Sequence, residues 1–308
     1  MSRAKITVVG AGNVGATTAH LLLERDLADV VMVDVAPGLA EGKALDMMHM
    51  RGNDCFNASI IGTSDYDQTA SSDIVIVTAG VPRKPGMTRE DLLGVNSRIV
   101  QSVLDSTLSA SPDALYLFVT NPLDVMVNYA YLKARLPKER LFGMGGVLDT
   151  ARFVNAVCSR LGCLPADVEA MVIGAHGEAM LPLPRLARVK QQPLVELLSD
   201  QDIAAICIET VQAGAAVVAL LQTGSAFYAP ASAIVTMVEQ ILQPSGVVLS
   251  VSAGLAGEYG ISGVHIGVPV RLGRTGIESI IELGLDETES ASLLDAAKTI
   301  SEQLGELF

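Results

Sequence analysis

One histidine in this chain stands where proton chemistry could occur. His176 lies in Gly174-Ala-His176-Gly-Glu178, directly after an apolar run at residues 168–173, so its ring ends an extended segment among small neighbours that leave it accessible. An imidazole is the natural proton carrier near neutrality. A lone histidine is more often structural, and His20, His49 and His265 read that way. Asp149-Thr-Ala-Arg152 opens a helical pattern, and its i,i+3 spacing places both charges on one face. That pair is either a surface ion pair worth about 0.3–0.5 kcal/mol or a division of labour. In the second case Asp149 orients His176 and steadies its cation, while Arg152 grips a carboxylate through two parallel hydrogen bonds. A third cluster is Gly80-Val-Pro-Arg83-Lys84-Pro-Gly-Met-Thr88-Arg89-Glu90-Asp91, with three cations within seven residues. Its prolines and glycine deny it regular structure, and Thr88-x-x-Asp91 predicts a capping box that starts the next helix. The cations either snorkel on a solvated loop or focus an anion toward a site.

These groups need a scaffold, and the first strand supplies its start. Residues 6–9 are a buried-strand pattern that runs into Gly10-Ala11-Gly12-Asn13-Val14-Gly15, a G-x-G-x-x-G turn opening a helix with apolar positions at Val14, Thr18, Leu21 and Leu22. The first glycine allows the tight turn, the second lets backbone approach a pyrophosphate, and the third permits close helix-on-strand packing. Phosphates would rest on the free N–H groups at the helix start. The next apolar run, residues 30–33, ends in Asp34, 19 residues beyond Gly15, where a carboxylate hydrogen-bonds the ribose hydroxyls of an adenosine and repels a 2′-phosphate. The expectation is NAD rather than NADP, and the alternative for Asp34 is an ordinary strand-end turn residue.

Further apolar runs at residues 59–61, 74–77, 115–119 and 141–142 alternate with helical patterns, which predicts a doubly wound parallel sheet over residues 1–144. Ligands bind beyond the carboxyl ends of such strands, which singles out Thr78-Ala79-Gly80 and Thr120-Asn-Pro-Leu-Asp124. Residues 145–308 read as a second, α+β domain, with helices at 149–161 and 203–221, extended runs at 168–173, 247–251 and 265–270, and a closing helix striped by Leu293, Ala297, Ile300, Leu304 and Leu307. The apolar stretch 203–221 carries Glu209, Thr210 and Gln212 and is expected in the core or in a subunit interface rather than across a membrane. With 50% hydrophobic and 18% charged residues the 308-residue chain is globular, and a net charge of −13 argues against nucleic-acid and anionic-membrane partners. Cys55, Cys158, Cys163 and Cys207 have no metal-ligand spacing and read as free thiols of a reducing compartment. No metal is expected, and the early first strand leaves no room for a signal peptide.

Together these residues resemble the lactate/malate dehydrogenase family, and within it the lactate-dehydrogenase-like malate dehydrogenases. The resemblance runs through G-A-G-N-V-G at 10–15, Asp34, T-A-G-V-P-R-K-P-G-M-T-R at 78–89, V-T-N-P-L-D-V at 119–125, L-D-T-A-R at 148–152 and G-A-H-G-E at 174–178. It implies an NAD-binding Rossmann domain followed by a substrate domain, and reversible hydride transfer between (S)-malate and NAD+. In its terms His176 is the proton acceptor, Asp149 its partner, Arg152 the clamp on the substrate's C1 carboxylate, and Arg89 the group that polarises the reacting oxygen. Asn121 would touch substrate and nicotinamide, while Asn96, Thr78, Ala79, Gly80, Val119 and Thr120 would line the cofactor. Arg83 takes the specificity position, where arginine matches a second carboxylate and glutamine suits lactate. A cytoplasmic homo-oligomer, dimer or tetramer, serving the tricarboxylic acid cycle is also implied.

Three rival readings differ in what they require. A lactate or other 2-hydroxy-acid dehydrogenase is separated by Arg83. Tyr129-Ala-Tyr-Leu-Lys133 fits the Y-x-x-x-K pair of short-chain dehydrogenases, but that family's G-x-x-x-G-x-G spacing is not the one at Gly10, Gly12 and Gly15. A non-catalytic NAD-binding protein would have no use for the histidine, aspartate and arginines together.

Overall fold

The computed structural model describes residues 3–82 and 87–308. Its first half alternates β1 (Ala4–Val9), α1 (Asn13–Glu24), β2 (Ala28–Val33), α2 (Leu39–Asp54), β3 (Ile60–Thr63), β4 (Ile74–Val77), α3 (Arg89–Thr107), β5 (Leu115–Phe118), α4 (Leu123–Ala134) and β6 (Leu141–Gly143). The six strands are parallel in the order β3-β2-β1-β4-β5-β6. All four residues of β4 and of β5 are buried, as expected of strands covered on both faces by helices. The strand order reverses between β1 and β4, so the loops after these two strands flank one crevice at the carboxyl edge.

The second half comprises α5 (Gly146–Leu161), β7 (Val168–Glu169), β8 (Val172–Gly174), β9 (Met180–Pro182), β10 (Arg188–Val189), β11 (Gln192–Pro193), α6 (Leu194–Leu197), α7 (Asp200–Leu221), α8 (Tyr228–Leu242), β12 (Val248–Ala256), β13 (Ser262–Gly273), β14 (Gly276–Ile280) and α9 (Glu287–Gly305). Its main strands extend the parallel sheet through one antiparallel pairing, Ser252 of β12 opposite Gly143 of β6. The histidine-bearing strand β8 follows beyond β13, where Gly267 faces Gly174.

Local chemistry sets the elements that matter for the site. Thr88 and Asp91 form the expected capping box at the start of α3. In α5, Phe153, Ala156 and Val157 are buried, each large apolar group contributing roughly 1.5–3 kcal/mol. That packing holds Asp149, one turn before Phe153, on the inward face. The α5 helix ends at Gly162 in the left-handed conformation, φ 65°.

Two expectations change. The apolar run at 168–173 is broken, its first part pairing with β10 in a separate three-stranded sheet and its last part with β9 and β13. The α7 helix is not a core helix: of its 22 residues only Ile206 and Thr210 are buried. Its Ile208, Val218, Leu220 and Leu221 are exposed, and it is long and apolar enough to cross a membrane by length and composition. The sequence pattern shows that a helix is apolar but not what covers it.

Candidate active site

The cofactor side is built on the turn after β1. Gly10 has φ +104°, and a Cβ there would come within 2.8 Å of the Ala79 nitrogen and the Thr78 hydroxyl. A Cβ on Gly15 would run into the Gly10 carbonyl oxygen, whereas one on Gly12 would meet nothing within 4 Å. The first and third glycines are thus demanded by the fold, and the second faces open space. Asp34 lies at the end of β2, and its carboxylate accepts hydrogen bonds from the backbone N–H of Ala11 at 2.7 Å and of Ala36 at 2.9 Å. Behind the loop, the Lys43 ammonium donates to the Ala11 carbonyl at 2.7 Å. The Gly12 N–H at the N-cap of α1 has no partner among the described residues and, with clear space over the second glycine, fits a dinucleotide diphosphate.

The neighbouring loops are clipped together by side chains. Thr78 Oγ1 donates to the carbonyls of Val9 and Gly10, and Thr120 Oγ1 donates to that of Ala79. Asn96, only 1% exposed, receives the Val81 N–H and donates to the carbonyls of Val81 and Asn121. Its amide is therefore spent on holding the Val81 and Asn121 segments. Arg83 lies outside the described residues, and only the backbone of Arg89, as the first residue of α3, is described.

Across the crevice the structure brings His176, Asp149 and Arg152 together. His176 Nδ1 lies 2.8 Å from Asp149 Oδ2, and Arg152 Nη1 lies 3.2 Å from the other oxygen, Oδ1. Asp149 is 1% exposed and can only accept, so Nδ1 carries the proton and Nε2 is left for a substrate. The Thr150 hydroxyl accepts the Val172 N–H, clipping α5 to β8 beside the histidine. Gly214 of α7 lies beside the guanidinium, where a Cβ would stand 3.4 Å from Arg152 Nη2, at ordinary contact distance.

The sequence singles out the segment 120–124 at the sheet's carboxyl edge but gives Asp124 no role of its own, yet this residue closes the site. Its Oδ2 accepts the backbone N–H of His176 at 2.7 Å, and its Oδ1 accepts the Ser252 hydroxyl at 2.6 Å. This one carboxylate joins α4 to the histidine segment and to β12. Burial pushes the Asp124 carboxyl above the usual carboxylate range, and the nearby Asp149 charge adds to the rise, against the opposing effect of its hydrogen bonds. Burial alone would depress His176, but the carboxylates of Asp149 and Asp124 outweigh burial and the Arg152 charge, so its pKa lies above the ordinary value. A signal existed, because Asp124 is an acidic residue at the start of a helix whose neighbours are almost all apolar. A separate cavity of about 650 Å³, lined by Asp73, Ser111 and Arg274 among others, opens at the opposite, amino-terminal edge of the sheet and touches none of these groups.

The fold and site define a nicotinamide-dependent dehydrogenase, and comparison with known proteins narrows the class. Residues 4–143 match the model of the lactate/malate dehydrogenase NAD binding domain, and residues 146–308 match that of the lactate/malate dehydrogenase alpha/beta C-terminal domain. The chain belongs to the lactate/malate dehydrogenase family, and its first domain binds NAD. It is 48% identical over 300 residues to a malate dehydrogenase of Nostoc punctiforme, covering 97% of this chain and 92% of that one. It is 46% identical over 304 residues to a malate dehydrogenase of Methanosarcina barkeri, covering 99% of each. Among solved structures, a Cryptosporidium parvum malate dehydrogenase superimposes with TM-score 0.96 at 40% identity over 99% of each chain. A C. parvum lactate dehydrogenase complexed with lactic acid and NAD superimposes with TM-score 0.96 at 36% identity, over 100% of this chain and 98% of that one.

Proposed function

We propose that the protein is an NAD-dependent malate dehydrogenase, interconverting (S)-malate and oxaloacetate. The observation that carries this reading is the His176–Asp149–Arg152 cluster at the crevice, in a chain similar over nearly its whole length to malate dehydrogenases. The bound nicotinamide supplies the hydride acceptor for oxidation and the donor for reduction. Arg152 binds the C1 carboxylate, and Arg83 meets the second. His176 Nε2 takes the hydroxyl proton during oxidation, while Asp149 holds the ring and stabilises the imidazolium. In reduction the imidazolium returns that proton, and Arg89 stabilises charge developing on the carbonyl oxygen.

The test is the rate of NADH oxidation with oxaloacetate and with pyruvate, for wild type and Arg83→Gln. Wild type should prefer oxaloacetate, and the substitution should move the ratio toward pyruvate. A wild-type preference for pyruvate would favour a lactate dehydrogenase, and an unchanged ratio in the variant would mean that Arg83 does not set the specificity. A non-catalytic NAD-binding protein would bind NADH and turn over neither acid.

The assembly reading is a homo-oligomer in which a second copy covers the apolar outer face of α7. Exposed Ile208, Val218, Leu220 and Leu221 support it. Sedimentation should give a dimer or tetramer for wild type and a smaller species for Leu220→Asp. A cytoplasmic place in the tricarboxylic acid cycle accords with four free thiols and the substrate pair. Cell fractionation checks the compartment.

A further inference from the structure

The two peptide groups of the glycine loop are held from behind. In the Gly10–Ala11 peptide, the Ala11 N–H donates to Asp34 Oδ2 at 2.7 Å and the Gly10 carbonyl accepts the Thr78 hydroxyl at 3.1 Å. In the Ala11–Gly12 peptide, the carbonyl accepts Lys43 Nζ at 2.7 Å, from a side chain 32 residues away on α2. C=O and N–H of a trans peptide point in opposite directions, so a lysine gripping the Ala11 oxygen turns the Gly12 N–H away from itself. That N–H has no hydrogen-bond partner among the described residues, and it stands at the N-cap of α1 with open space over the glycine.

Lys43 is half-buried and, among the described residues, forms no ion pair, not even with Asp34 on the other side of the same loop. Its charge-assisted bond goes to a neutral carbonyl. A long, entropically costly side chain held this way makes sense if the peptide it orients is itself a binding group.

We propose that Lys43 is a positioning residue for the dinucleotide, fixing the Ala11–Gly12 peptide so that the Gly12 N–H is presented to the diphosphate. This rests on the cofactor lying over the glycine loop, so binding of NADH by wild type is the control. Lys43→Met and Lys43→Arg are compared by NADH fluorescence titration, by competition with ADP and with adenosine, and by thermal unfolding without ligand. Lys43→Met should weaken NADH and ADP binding about tenfold, the scale of one charge-assisted hydrogen bond. The KM for NADH should rise with the Kd while kcat at saturating NADH stays within about twofold. Adenosine, which carries no phosphate, should bind as it does to wild type, and Lys43→Arg should recover most of the loss. Lys43→Gln replaces Lys43→Met if the latter does not fold, with the same weakening expected. Unchanged NADH affinity in the folded variant, an equal loss for adenosine and ADP, or an arginine variant as weak as the methionine one would each overturn the assignment.

Discussion

At the glycine loop, the group left for a ligand is a backbone N–H, that of Gly12, on a turn held by side chains behind it. Across the crevice, the groups that would do chemistry are side chains held by other side chains. The first arrangement is local: Gly10, Gly12, Gly15 and Asp34 lie in one strand–turn–helix–strand unit, with Lys43 arriving on the next helix. The second is assembled over long separations, with Asp149 on α5, His176 after β8, Asp124 on α4 and Ser252 on β12 meeting within one hydrogen-bonded chain. Binding of a constant diphosphate can be built into backbone geometry. Moving a proton requires a titratable group whose pKa is set by buried charges.

Substitutions can break this contrast at either end. The largest effect is expected for His176→Asn, which keeps a polar group but removes the base. Its kcat should fall by about 10³-fold, within the usual range for acid–base catalysis, while NADH titration gives wild-type affinity. Loss of NADH binding in that variant would mean that the two ends are not separable.

At the other end, Gly15→Ala and Gly12→Ala should part company. A methyl at 15 strikes the Gly10 carbonyl, so that variant should lose about 1–3 kcal/mol of stability in denaturant unfolding as well as cofactor affinity. A methyl at 12 meets no protein atom, and the residue already has φ −66°. That variant should unfold like wild type within about 0.5 kcal/mol yet bind NADH several-fold more weakly. Equal unfolding of both variants would contradict the division between a fold glycine and a ligand glycine.

A smaller effect concerns a histidine outside the chemistry. His265 is 1% exposed beside Gly254, and burial pushes its pKa down to about 4, against an opposing interaction with the Leu141 backbone and with the Lys138 charge adding to the effect. The unfolded chain therefore takes up this proton first as pH falls. Stability contributed by the neutral ring is complete above about pH 6.5 and is lost progressively down to about pH 4, for a total of about 3 kcal/mol. Urea unfolding between pH 7 and 4 should show this loss in wild type and a shallower one in His265→Phe, whose ring needs no proton.

The contrast also explains what could be read from sequence. The parallel sheet and the glycine loop were legible because strand, turn and helix signals there are contiguous, and so was the Asp149–Arg152 face, set by helical periodicity. The capping box at Thr88 is another local pattern. Asp124 was harder to see, because its value lies in meeting His176, 52 residues away, and Ser252, 128 away. Lys43 was missed because a lysine in a mostly polar helix reads as a solvated charge, and only the folded chain shows its ammonium on the Ala11 carbonyl. The apolar pattern of α7 left core and subunit interface both open, since composition is the same for either, and only the folded chain removes the first.

Buried carboxylates set the proton affinity of His176, and the pH dependence of malate oxidation in wild type and Asp149→Asn measures their effect. Oxidation needs the neutral ring, so kcat/KM should rise with pH through a pKa above the ordinary histidine value of 6.5 in wild type. Oxaloacetate reduction should decline through the same range. Replacing Asp149 removes the foremost influence that raises this pKa, so both profiles should move to lower pH at reduced rate. Profiles that keep the wild-type midpoint in Asp149→Asn, or move to higher pH, would contradict the account.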